Sequence, residues 1–142
     1  MFRVELVRLG RTTATLRIGL SDPREAVETV MDRLCEGCGD EVCNIISSLA
    51  ERAVKRLVGT VEGRRRLVEE AVRALEDAGI VRMVRWESGE AIVTVDLRSL
   101  AEEMDVDIRD PEDVEAAIAE IIEEDAEPEG VIIDEMSRVA SG

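Results

Sequence analysis

The chain has no histidine, tyrosine or glutamine, a single asparagine (Asn44), a single lysine (Lys55) and only two aromatic residues, Phe2 and Trp86. Each shortage excludes something. Without imidazole there is no Ser–His or Cys–His nucleophile pair, no histidine metal ligand and no side chain that ordinarily titrates near neutrality. The usual hydrolytic machineries are thereby set aside, and a non-enzymatic protein is the expectation. Carboxylates remain as acid–base candidates, but they are too numerous to single out a pair. With so few rings, the core has to be built from Val, Ile, Leu, Ala and Met. No apolar run approaches the ~18 residues a membrane span needs, and Met1 to Glu5 does not read as a secretory signal. A cytoplasmic protein with no membrane partner is expected.

What is present points to one folded unit. The 142 residues are 45% hydrophobic, enough for a single core over residues 1–142. Acids outnumber bases 33 to 18, for a net charge of −15. Few thermolabile amides and many ionic groups suit a protein working hot, and an acidic, lysine-poor surface suits a salt-rich cytosol. The charge is also segregated. Residues 1–85 sum to +1 and residues 86–142 to −16, with the acidic C-terminal third running from about 98 to 142. Such asymmetry suggests that the acidic third docks on the basic middle, within one chain or between two.

Alternation of apolar and polar residues over 2–9 and 13–20 predicts an N-terminal β-hairpin, and 80–86 with 91–97 predicts a second. Asp22-Pro23-Arg24-Glu25 places a cap, a first-turn proline and a box-closing carboxylate in order, so a helix starts there. Asp110-Pro111-Glu112-Asp113 repeats the signal for a helix to about Glu124. Between the hairpins, 41–58 and 64–78 read as an antiparallel helix pair. On the first of these, Val42, Ile45, Ile46, Leu49, Ala50, Ala53 and Leu57 share a side expected to face inward. A short helical turn is expected near 100–104, a last strand over 129–134, and a frayed end. The fold class is therefore α+β: two antiparallel hairpins forming a sheet, with about four helices packed on one face.

Two features could carry chemistry. Cys35, Cys38 and Cys43 form a C-x2-C-x4-C cluster in which glycines allow a tight turn and thiolates could face one ion. Zinc or an iron–sulfur cluster is the cofactor such a site would take, with a carboxylate or a partner supplying a fourth ligand. Cys35 and Cys43 read more readily as small packing residues at adjoining helix ends, with Cys38 on a loop, and a disulfide or thiol-redox use is a third option. The second feature is a basic run from Arg52 to Arg85. Arg65 to Val95, with Leu75-Glu76-Asp77-Ala78-Gly79-Ile80-Val81, resembles the last helix and wing of winged-helix DNA-binding domains. That resemblance implies a helix in the major groove and a hairpin on the backbone. The charges argue otherwise: Arg66–Glu70, Glu69–Arg73 and Arg73–Asp77 are spaced to satisfy one another, and the chain is strongly acidic. Nucleic acid is thus the disfavoured partner. An accessory or interaction protein, self-associating as a homodimer, is the leading expectation. A metal or thiol-redox protein and a winged-helix-like regulator are its rivals.

Overall fold

The computed structural model describes residues 1–141, with Pro23 by its backbone alone. Its elements run β1 (Phe2–Leu9), β2 (Thr13–Leu20), α1 (Pro23–Leu34), α2 (Asp40–Val58), α3 (Val61–Asp77), β3 (Val81–Glu87), β4 (Glu90–Asp96), α4 (Leu97–Met104), α5 (Pro111–Asp125) and α6 (Glu129–Ser141). The α+β class holds. The described residues form six helices rather than about four, because the turn near 100–104 is a full helix and the segment expected as a last strand is α6.

Local chemistry accounts for most boundaries. Asp22 caps α1 by accepting from the Arg24 N–H, and Thr60 caps α3 by accepting from the Gly63 N–H. Asp110 and Asp113 close a capping box at α5. Ser88 and Gly89 both have positive φ, 50° and 85°, the primed turn that matches the twist of paired strands and so joins β3 to β4. Asp96 caps α4 through the Ser99 N–H. That bond first, and the Arg82 guanidinium next, hold its carboxyl below the usual range.

The strands form one antiparallel sheet in the order β1-β2-β4-β3, so the two hairpins join through β2 and β4. Register pairs Ala14 with Val95, Leu16 with Val93 and Ile18 with Ala91. All six are fully buried. They meet Val68, Ala71, Val72 and Leu75 of α3, Leu100 of α4 and Ile118, Ile121 and Ile122 of α5 in one aliphatic cluster. A second cluster is helical. Ala26 and Val30 of α1, Ala50, Ala53, Val54 and Leu57 of α2, and Ile132, Met136 and Val139 of α6 pack around Leu67 of α3. Aliphatic residues fill both, as the scarcity of rings required.

The alternate side of the strands is polar. Glu90 accepts from Arg3 and Arg17, at 2.8 and 3.2 Å, while Arg17 also faces Glu87. Arg82 pairs with Asp96. Farther along, Arg33 lies 3.7 Å from Glu129, and Arg66 lies 3.0 Å from Asp134. Every one of these pairs joins the basic part of the sequence to the acidic part. Part of the charge segregation along the chain is thus met within the chain, by strands and helices that bring the two parts side by side. No helix of the described residues is long and apolar enough to cross a membrane.

Candidate functional site

The cysteines lie at the junction of α1 and α2. Cys35 is the C-cap of α1, Cys38 sits in the turn and Cys43 in the first turn of α2. Gly37, at φ 79°, takes the left-handed backbone that lets the chain reverse there. All three are free thiols. The Cys43 thiol donates to the Cys35 carbonyl at 3.7 Å, and the Cys38 thiol donates back to the Leu34 carbonyl at 3.4 Å. The Cys35 thiol donates to the Met31 sulfur at 3.9 Å. Hydrogen bonding with the Cys43 side chain first, and burial next, push the Cys35 thiol up to about 11. A thiol so placed stays protonated at neutral pH and is a poor nucleophile. Among the described residues, no group of three Cys, Asp or Glu side chains is placed to hold a metal ion. Cys38, by contrast, is exposed.

A labelling order follows. At pH 8 only about a thousandth of a thiol with such a pKa is thiolate. Iodoacetamide should therefore modify Cys38 well before Cys35 in the folded protein, read by peptide mass spectrometry over time. Equal rates at the two positions would show that the Cys35–Cys43 contact does not hold in solution.

From Arg56 onward the arginines of the basic run are engaged one by one. Arg64 donates to the Val58 carbonyl at 2.9 Å, and Arg73 pairs with Glu70 at 3.0 Å. Arg65 bonds Glu69 at 3.1 Å and lies over the Trp86 ring, 4.7 Å from its centroid. Arg66 joins Arg56 and Arg138 around Glu135, whose side chain is only 7% exposed. Seven residues of α3 are buried, so this helix is a core element with its cations occupied. Glu135 was not legible as a site residue. Its partners on α2 and α3 are distant in sequence, and it follows directly on the segment 129–134, which reads as a strand.

A cleft of about 440 Å³ opens beside the N-terminus, lined by Met1, Phe2, Val4 and Thr29 and by the carboxylates Glu25, Glu123 and Glu129. Its charges are partly met already, because the terminal amino group bonds Glu25 and Arg33 approaches Glu129. No family model, curated protein or solved structure matches the chain.

The remaining feature is apolar. Of the α2 residues expected to face inward, Ala50, Ala53 and Leu57 are buried, but Val42 and Ile45 are 47% and 62% exposed. Ile46 and Leu49 are only partly covered. The apolar arc of α2 is wider than its neighbours in the chain can cover. In the first half of the helix, one flank is left open to water.

Proposed function

We propose that this chain is a non-enzymatic accessory protein that works by binding protein, in the first place a second copy of itself. The observation that carries this reading is the open flank of α2, where Val42 and Ile45 stand in water beside half-covered Ile46 and Leu49. Burying such a flank returns about 25 cal/mol for each Å² of apolar surface removed from water, and apolar residues clustered on a charged surface mark interaction sites. A net charge of −15 on each copy opposes that association until salt screens it, so the dimer is expected to tighten as salt is raised. Light scattering at micromolar concentration in high salt should give the mass of a dimer. A monomer mass across a tenfold dilution series would reject the reading.

A thiol or metal function is the second reading, favoured by the placement of Cys35 and Cys43 at one helix junction, where the Cys43 thiol reaches the Cys35 carbonyl. Either a reversible Cys35–Cys43 disulfide or a zinc ion shared with a partner would use it. Metal content of protein purified without oxygen separates this reading from the first: zinc or iron near one per chain would support it, and a level well below that would remove the metal.

A further inference from the structure

We infer that the open flank of α2 is the two-fold interface of a homodimer, in which α2 of one copy lies antiparallel on α2 of the other. The inference rests on the self-association reading above and names the surface that performs it. Residues 41, 45, 49 and 52 follow the spacing of one helical face, and Val42 adjoins them. Along that face the order is Glu41, Val42, Ile45, Leu49, Arg52, so acid stands at one end, apolar residues in the middle and base at the other. Lys55, also exposed, stands at the edge of this face beyond Arg52. Such a face is complementary to itself when reversed. With the axis near residue 47, Ile45 of each copy meets Leu49 of the other. At a rise of about 1.5 Å per residue, Glu41 lies ~9 Å from the axis and Arg52 ~8 Å, within reach of each other across it.

Two observations make this face the place for a second copy. Glu41, Arg52 and Lys55 take part in no ion pair among the described residues, so charges of both signs are free to pair across the axis. The sheet edges, the other self-complementary surfaces, are blunted. β1 has a bulge between Leu6 and Arg8, and its Leu6 N–H is taken by Glu115 at 2.9 Å. β3 has a bulge between Val81 and Met83 and exposes Arg82 and Arg85. Bulges and edge charges prevent strand pairing between copies. Closed two-fold pairs are also the commonest soluble assembly, and they require one patch that fits itself.

Ile45→Glu tests the contact. Both copies lose the apolar anchor and gain a buried charge, so the dimer dissociation constant should rise at least about a hundredfold by analytical ultracentrifugation. Far-UV circular dichroism should be unchanged, because Ile45 lies outside the core. Arg52→Glu and Glu41→Arg should each weaken the dimer, and together they should restore it to within about threefold of the parent, since the pairs re-form with signs exchanged. A parent protein that dimerises while Ile45→Glu leaves it intact, or a charge exchange with no recovery, would overturn this interface and leave the self-association reading standing. A monomeric parent would overturn both.

Discussion

Replacing Gly63 with alanine should destabilise the protein by about 3 kcal/mol, against the usual sign for a glycine inside a helix. Gly63 lies in the first turns of α3, where α3 crosses the C-terminal end of α2. A Cβ placed there would come within 2.7 Å of both the Cα and the carbonyl carbon of Leu57 and closer still to its carbonyl oxygen. Those are backbone atoms, and Leu57 is itself fixed by burial at 2% exposure, so nothing flexible can yield. Relief would require α2 and α3 to separate, which would loosen Leu67 and Val54 in the helical cluster. At an ordinary helical site the same change gains about 0.5–1 kcal/mol. Gly130 in α6 is the control: it is exposed, a Cβ there would meet nothing within 4 Å, and alanine should gain a few tenths of a kcal/mol. Urea denaturation at one fixed protein concentration measures both, because a dimer's apparent stability depends on concentration. A neutral or stabilising Gly63→Ala would show that α2 and α3 do not approach this closely.

Features set by neighbours in sequence were legible. The N-terminal hairpin, the proline starts of α1 and α5 and the Ser88-Gly89 turn each rest on chemistry spanning a few residues, and each stands where it was expected. The link between the hairpins through β2 and β4 was not legible, because it depends on residues such as Leu16 and Val93, which only the folded chain brings together. The spacing of Cys35, Cys38 and Cys43 showed a cluster without showing its protonation, which depends on the contact between Cys35 and Cys43. On α2 the periodicity gave an apolar side but not its width relative to the partners available. Ala50, Ala53 and Leu57 face α1, α3 and α6, while Val42 and Ile45 lie past their reach.

The segment 129–134 failed for a different reason, and that reason yields the other large effect. Val131, Ile132 and Ile133 are β-branched and follow a glycine, so local propensity reads a strand. Tertiary contacts override it. As a helix, the segment carries Ile132, Glu135, Met136 and Val139 at spacings of three and four residues, all of them buried. Three fill the helical cluster, and Glu135 meets Arg56, Arg66 and Arg138 at 3.5, 3.4 and 3.7 Å. Ile132→Ala removes a fully buried side chain and should cost about 3–4 kcal/mol through lost burial and the cavity left behind. Val139→Ala should cost about 1–2 kcal/mol, while Ile133→Ala, at a position 39% exposed, should cost less than about 1 kcal/mol. Removing the Glu135 carboxylate by Glu135→Ala leaves Arg56 without its partner and Arg66 and Arg138 sharing only Asp134. Because Arg56 and Arg138 are 62% and 61% exposed, water screens much of the effect, and the expected loss is about 1–2 kcal/mol rather than the 3–5 of a fully buried pair. The order is diagnostic. A helix makes both Ile132 and Val139 costly, whereas alternation along a strand would put 132 and 139 on opposite faces and make only one of them so. Chemical denaturation of the four variants at one protein concentration, with Ile133→Ala equal to or worse than Ile132→Ala, would reject α6 as a docked helix.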